Sequence, residues 1–171
     1  ALTGSFCFIS YTTSGLENSL LFFLTALFLK EYFETTIYSA KKLFILALLL
    51  SLIAMTRMDA VLMFVPMILY VYLAKRDGVS FFKAVGIGIA GLLPFLLWEL
   101  FSTFYYGFPV PNTAYVKLGT EIPLKEYLVR GIQYVITSGV NDILLLVIPF
   151  LFVILAVFLK RAAYIYTALG I

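Results

Sequence analysis

Five stretches of the chain are almost entirely apolar, and short polar segments separate them. The stretches are 14–22 residues long, close to the length that an α-helix needs to cross the hydrocarbon core of a bilayer. The pattern predicts an all-α polytopic membrane protein with about five transmembrane helices, forming one membrane domain over residues 1–171. The predicted helices cover residues 14–33, 43–56, 60–74, 84–105 and 143–159, and residues 106–142 are predicted to form an outward-facing loop.

The composition agrees with a membrane protein and removes several kinds of chemistry. Hydrophobic residues make up 63% of the 171 residues and charged residues only 12%, whereas soluble domains carry roughly 25% charged residues. The chain has no histidine and one cysteine, Cys7. This excludes an internal disulfide and any chemistry that depends on histidine, and we predict no metal site. The net charge of +3 is too small to indicate nucleic acid as a partner.

Basic residues are distributed unequally between the two sides of the predicted helices. Of the 12 Lys and Arg residues, eight lie at the end of the first predicted helix, in the two short loops after the first and third predicted helices, or just after the fifth. The positive-inside rule makes that side cytoplasmic, so residues 57–59 and the loop 106–142 are predicted to face outward. The eight basic residues are Lys30, Lys41, Lys42, Lys75, Arg76, Lys83, Lys160 and Arg161.

Two charged residues, Arg57 and Asp59, interrupt a long apolar stretch at residues 43–74. A single helix of that length would span about 48 Å, too long for a hydrocarbon core of about 30 Å. We therefore predict a helical hairpin with short arms, whose charged turn lies below the outer membrane surface. An ionisable side chain at such depth indicates a functional site.

Two alternatives to a functional site remain open for Arg57. One is a mutual ion pair with Asp59, and the other is an Arg57 side chain that reaches the lipid headgroups. Residues two apart on a helix do not face each other. Arg57 is therefore expected to lack a partner nearby in the sequence.

Ser14 and Glu17 have the spacing of a capping box, S-x-x-E, directly before an apolar run. In that arrangement Ser14 bonds to the helix backbone and Glu17 reaches back to Ser14, which explains both residues. It also places the Glu17 carboxylate at an outward-facing helix N-terminus, where the helix dipole stabilises negative charge. Capping a helix and lining a polar cavity are therefore compatible roles for Glu17.

The segment FYYGFPVPNTAYVKLG, residues 104–119, follows the fourth predicted helix. Its glycine and prolines exclude a regular helix and favour a turn, in which Asn112 is a hydrogen-bonding group. Lys117 is its one cation and can meet a phosphate, whereas Tyr106 suits the membrane interface. Beyond this segment, an apolar stripe predicts an interfacial amphipathic helix on the outer leaflet. The stripe consists of Leu124, Leu128, Ile132 and Val135.

Three polar motifs, SGLEN, LIAMTRMDAVL and YYGFPVPNTAYVK, occur in this order on the predicted outward side. Together they resemble the central membrane region of the GT-C glycosyltransferases that use polyprenyl-phosphate sugars. The nearest pattern is the bacterial group resembling the mycobacterial terminal arabinofuranosyltransferases, with G-x-E, T-R-P-[ED] and Y-Y-G-x-x-x-P-N-[ST]-x-x-x-K segments. The third segment matches from Tyr105 to Lys117, and the second departs because Met58 replaces the usual proline. The resemblance covers roughly residues 8–160 and implies a fragment of a GT-C-type membrane domain.

The resemblance implies that an acceptor hydroxyl attacks the sugar carbon C1 and expels polyprenyl phosphate, a glycosyl transfer. Arg57 and Lys117 would then neutralise the phosphate, and Asn112 would position the substrate. Glu17 and Asp59 would accept hydrogen bonds from hydroxyls of the sugar or the acceptor. The implied substrate-binding residues are Glu17, Arg57, Asp59, Tyr106, Asn112 and Lys117.

The catalytic residue itself is expected outside the chain. GT-C enzymes usually carry a catalytic acid in their first outward loop, and the chain lacks a signal peptide or initiating methionine before its first motif. We therefore expect a piece of a longer protein that is inactive alone. The implied donor is a polyprenyl-phosphate-linked sugar, with no further cofactor. The implied partners are membrane lipid and a cell-envelope glycan or protein acceptor, at the bacterial plasma membrane with an extracytoplasmic active face.

Two other functions place the same charges in a membrane without glycosyl transfer. A transporter or flippase for a lipid-linked or small polar substrate would line a path with them. Such proteins favour inverted repeats and pairs of interrupted helices, and the sequence has neither. A non-catalytic structural subunit would use the polar groups only for capping and pairing.

Overall fold

The chain is all-helical in the computed structural model, which describes residues 6–13, 15, 17–34, 38–74, 78–108, 123–141, 143–159 and 162–170. Eight helices account for nearly all of these residues. They are α1 (Phe6–Thr13), α2 (Asn18–Phe33), α3 (Ala40–Thr56), α4 (Val61–Ala74), α5 (Phe81–Tyr106), α6 (Leu124–Asn141), α7 (Leu144–Leu159) and α8 (Ala162–Ala168).

The prediction of about five transmembrane helices is wrong for this structure. Among the described residues, only α5 is long and apolar enough to cross a membrane. The helices at the other four predicted spans have 14–17 residues. At 1.5 Å per residue they are about 21–26 Å long, against a hydrocarbon core of about 30 Å. Hydropathy located the apolar runs, but α2 begins only at Asn18 and the turn at Arg57 keeps α3 and α4 short.

Helix α5 exposes much of its apolar surface. The side chains of Phe82, Leu100 and Phe104 are 86%, 68% and 91% exposed, whereas the core helix of a soluble protein buries such residues. Lys83 near the start and Tyr105 near the end suit the two membrane interfaces. The residues between them span about 30 Å, the thickness of the hydrocarbon core. Helix α5 is thus a candidate membrane-spanning helix.

Helices α3 and α4 form an antiparallel hairpin. Helix α3 ends at Thr56, and Arg57 has an extended backbone conformation with φ −150° and ψ 113°. A turn over residues 58–60 then leads into α4. At the open end of the hairpin, the Tyr72 hydroxyl donates a hydrogen bond to the Leu43 carbonyl over 3.0 Å. This contact joins the last residues of α4 to the first residues of α3.

Helix α5 packs parallel to α3 at very short distance. Gly91 permits the approach, since a Cβ added there would lie 2.5 Å from the Cβ of Ala47. One turn further along both helices, the Phe95 amide donates a hydrogen bond to the hydroxyl of the buried Ser51 over 3.0 Å. In both contacts the residue of α5 comes 44 positions after its partner in α3. This common offset places the end of α3 beside the part of α5 that follows Phe95.

Helix α2 covers the other side of the hairpin and runs antiparallel to α3. Lys42 at the start of α3 forms an ion pair with Glu31 near the end of α2. Aromatic contacts join α2 to α4, with ring centroids 4.7 Å apart for Phe28 and Phe64. The buried apolar core lies between α2, α3 and α4.

The C-terminal helices add a smaller contact to this core. Tyr166 of α8 stacks on Tyr70 of α4 with ring centroids 4.9 Å apart, and Thr167 shares a side-chain hydrogen bond with Tyr32. Helix α6 is present at the predicted amphipathic segment, and Leu128, Ile132 and Val135 of its apolar stripe are exposed.

Candidate functional site

Three polar elements lie at the same end of the helical core. We call this the Arg57 end, and it comprises the start of α2 at residues 17–18, the α3–α4 turn at residues 57–60 and the part of α5 after Phe95. Helix α2 runs antiparallel to α3, so its first residue lies beside the last turn of α3. Helix α5 runs parallel to α3 and continues past that turn. The topology therefore gathers residues that are far apart in the sequence.

Arg57 and Asp59 form a bidentate ion pair within the turn. The Nε atom of Arg57 donates to Oδ1 of Asp59 over 3.1 Å, and Nη2 donates to Oδ2 over 2.8 Å. The expectation that Arg57 has no partner nearby in the sequence is therefore wrong. That expectation assumed a helix, whereas Arg57 is extended and Asp59 lies in a turn, so residues two apart can face each other.

The ion pair leaves part of the guanidinium available. Asp59 occupies Nε and Nη2, and Nη1 of Arg57 has no hydrogen-bond partner among the described residues. The two side chains are 41% and 68% exposed. An exposed ion pair contributes about 0–1 kcal/mol to the free energy of unfolding. Asp59 thus orients the guanidinium and contributes little to stability.

The electrostatics of the turn reflect this arrangement. The hydrogen bond with Asp59 raises the pKa of Arg57, and the negative charge of Asp59 raises it further. The hydrogen bond from Arg57 lowers the pKa of the Asp59 carboxyl. The pKa of Asp59 in the folded chain lies below its ordinary value. The ion pair therefore stabilises the folded chain fully at a pH above that ordinary value, and the stabilisation is lost as the pH falls through the lowered pKa.

Glu17 lies at the Arg57 end but does not take part in a capping box. It occupies the N-cap position of α2 itself, and its side chain makes no capping hydrogen bond. A capping box would require α2 to begin just after Ser14, whereas it begins at Asn18. Ser14 lies outside the described residues. The carboxylate of Glu17 is close enough to Arg57 to raise the pKa of the guanidinium, as does Tyr11 of α1.

Three residues at this end were missed by the sequence analysis. Tyr11 lies close enough to Arg57 to raise the pKa of the guanidinium, and it begins the stretch YTTSGLEN that contains Glu17. Asn18 is the first residue of α2 and is only 7% exposed. Glu99 of α5 lies one turn after Phe95 and is therefore level with the last turn of α3. An acidic residue within a long apolar helix was the available signal for Glu99, because such residues are unusual in membrane spans.

Tyr106, Asn112 and Lys117 follow this end along the chain. Tyr106 is the last residue of α5 and is exposed. Gly107 then ends the helix with φ +77°, a left-handed conformation that favours glycine. The predicted roles of Asn112 and Lys117 fall on positions outside the described residues. Of the predicted substrate-binding residues, the structure brings together Glu17, Arg57 and Asp59.

The Arg57 end has groups that can bind a polar molecule. Its described residues supply one guanidinium and the carboxylates of Glu17 and Asp59, and Glu99 lies at the same level on α5. Within the described part of the chain, no group of three acidic or cysteine side chains could hold a metal ion. A guanidinium recognises phosphate or carboxylate, and carboxylates accept hydrogen bonds from hydroxyl groups.

Comparisons with known proteins identify no relative of this chain. No family model, curated protein or solved structure matches the chain. The functional conclusion therefore depends on the residues of the Arg57 end and on the motifs in the sequence.

Proposed function

We propose that this chain is part of a membrane glycosyltransferase that moves a sugar from a polyprenyl-phosphate donor to an acceptor hydroxyl. The acceptor belongs to a cell-envelope glycan or protein, on the extracytoplasmic face of a bacterial plasma membrane. The supporting observation is the Arg57 guanidinium, which Asp59 orients and which keeps Nη1 available among the described residues. The resemblance of the three polar motifs to GT-C enzymes supplies the reaction class.

The reaction creates charge that the Arg57 end is suited to stabilise. The acceptor oxygen forms a bond to C1 of the sugar, the bond from C1 to the phosphate oxygen breaks, and the acceptor proton passes to a general base. The leaving phosphate carries the developing negative charge, and a guanidinium aimed at that charge stabilises the transition state. The carboxylates at this end repel a phosphate, so a second cation is needed beside Arg57. Lys117 is the candidate from the sequence.

The depth of the turn also suits a lipid-linked donor. The offset between α3 and α5 makes Arg57 level with about Phe101, roughly 8 Å below Tyr106 along α5. A polyprenyl chain lies in hydrocarbon while its phosphate requires polar partners near the interface. A guanidinium recessed by one to two helical turns matches the position of that phosphate.

The direct test is binding followed by transfer. The chain in lipid nanodiscs should bind polyprenyl phosphate and polyprenyl-phosphoryl mannose or arabinose, and the full-length protein should transfer the sugar to a hydroxyl acceptor. Movement of the lipid between leaflets without transfer would contradict the proposal in favour of a flippase. Absence of binding by wild-type protein would contradict it outright.

Glu17→Gln should reduce sugar transfer about tenfold while the chain stays folded. The carboxylate makes no capping hydrogen bond, so its loss should change the free energy of unfolding by less than about 0.5 kcal/mol. Loss of its charge removes an acceptor for sugar hydroxyls beside Arg57. Transfer rate and thermal unfolding check this result, with Glu34→Gln at the opposite end of α2 as the control. Full transfer activity in Glu17→Gln would remove Glu17 from the site.

Single cysteines should label the two ends of α5 from opposite sides of the membrane. In a Cys7→Ser background, Lys83→Cys should react from the cytoplasm, whereas Tyr106→Cys should react with an impermeant thiol reagent from outside. The orientation follows from the excess of basic residues around Lys83. Asp59→Cys should share the side of residue 106 but react more slowly, because the turn is recessed. Cytoplasmic labelling of residue 106 would contradict an extracytoplasmic site.

A further inference from the structure

Asn18 is a buried polar residue at the start of α2. Its side chain can donate two hydrogen bonds and accept two, and the residue is only 7% exposed. Among the residues that the structure describes, none forms a hydrogen bond with this side chain. By contrast, the buried Ser51 accepts a hydrogen bond from the Phe95 amide. Buried polar groups in native proteins nearly always have partners, so a buried amide that has none among the described residues needs an explanation.

The position of Asn18 connects it to the Arg57 end. The ion pair between Glu31 and Lys42 sets the antiparallel register of α2 and α3. Asn18 lies 13 residues before Glu31 on α2, and Met55 lies 13 residues after Lys42 on α3. Asn18 is therefore level with about Met55, two residues before Arg57. Asn18 also continues the stripe of Leu21, Thr25 and Phe28, spaced three and four residues apart, that faces the core. Asn18 thus lies on the core-facing side of α2, at about the level of the last turn of α3 that precedes Arg57.

We propose that the Asn18 side chain binds hydroxyl groups of the sugar on the polyprenyl-phosphate donor. This inference rests on the proposed function and assigns it a sugar-binding residue. An amide both donates to and accepts from hydroxyl groups, which matches the chemistry of a sugar ring better than that of a phosphate. Arg57 then binds the phosphate from the turn, and Asn18 binds the sugar from the buried side.

A binding role predicts an unusual combination of effects on stability and affinity. A buried polar group whose partner is a ligand destabilises the ligand-free protein. An apolar side chain of similar size at that position should therefore stabilise the ligand-free protein. Asn18→Leu should therefore raise the melting temperature of the ligand-free chain by at least about 2 °C. The same change should weaken binding of the sugar-bearing donor. A purely structural residue would not combine these two effects.

The experiment measures melting temperature and lipid affinity for the chain in nanodiscs. The probes are polyprenyl phosphate, which lacks a sugar, and polyprenyl-phosphoryl mannose and arabinose. Asn18→Leu should raise, by about tenfold, the Kd of whichever sugar-bearing donor the wild type binds. It should change the Kd of polyprenyl phosphate less than twofold. Ser51→Ala is the matched control, because it removes a buried polar group that has a partner. It should lower the melting temperature and leave the ratio of the two Kd values unchanged.

The outcomes separate this inference from the proposed function. If wild type binds the donors and Asn18→Leu leaves the Kd ratio unchanged, the sugar-binding role is wrong and the proposed function stands. A lower melting temperature in Asn18→Leu with an unchanged ratio would make Asn18 structural. If Asn18→Leu does not fold, Asn18→Ala takes its place in the same Kd comparison. If wild type binds neither lipid phosphate nor donor, both proposals are wrong.

Discussion

Arg57→Gln is expected to lower sugar transfer from a polyprenyl-phosphate donor by about 100-fold to 1,000-fold while leaving the protein folded. Removing one group that stabilises developing charge in a transition state has an effect of about this size. Stability should change by at most about 1 kcal/mol, because neither side chain of the ion pair is buried within the protein. Transfer assays on the full-length protein and thermal unfolding of the same samples measure the two effects.

The control for this prediction is Arg130→Gln. Arg130 also forms an exposed ion pair, with Glu126 on α6 at an Nη2–Oε1 distance of 2.5 Å, but it lies outside the Arg57 end. The control should retain transfer and stability. If Arg57→Gln instead lowers stability and transfer together, with no separable defect in transfer, the ion pair is structural and the functional assignment of Arg57 fails.

Gly91→Ala should destabilise the chain by about 1–3 kcal/mol, the usual range for inserting a group into a well-packed contact. The added Cβ would lie 2.5 Å from the Cβ of Ala47 and 3.0 Å from backbone atoms of α3. Backbone atoms cannot rotate away, so α3 and α5 must separate. The separation would also strain the hydrogen bond from the Phe95 amide to Ser51. Thermal or denaturant unfolding in detergent micelles measures the effect.

Gly86→Ala, on the same helix, is the matched control. A Cβ at Gly86 meets no atom within 4 Å, and alanine is a better helix former than glycine by roughly 0.5–1 kcal/mol. The control should be neutral or slightly stabilising. Equal stability in the two variants would contradict the close packing of α3 on α5.

The local pattern of the sequence predicted several features of the fold. Apolar runs predicted the helices, and the charged break at Arg57 predicted the hairpin turn between α3 and α4. The amphipathic pattern of residues 124–135 predicted α6. These features depend on hydrophobic periodicity and on the positions of charged residues, both of which can be read from neighbouring positions.

The same pattern failed where helix length and backbone geometry decide the outcome. Five apolar runs predicted about five membrane spans, yet only α5 among the described helices is both long and apolar enough. The ion pair between Arg57 and Asp59 was not expected, because it requires an extended residue followed by a turn. Apolar composition does not fix where a helix ends, since the last turns depend on packing against other helices.

By itself, the sequence determined that the chain is helical and apolar, and that Glu17, Arg57 and Asp59 are its unusual polar positions. Only the tertiary structure decided that these residues share one end of the core and that Asn18 is buried beside them. Helix periodicity is a local property, whereas proximity between α2, α3 and α5 depends on close contacts such as Gly91 on Ala47. Those contacts set the register of the helices, and the register decides which polar side chains meet.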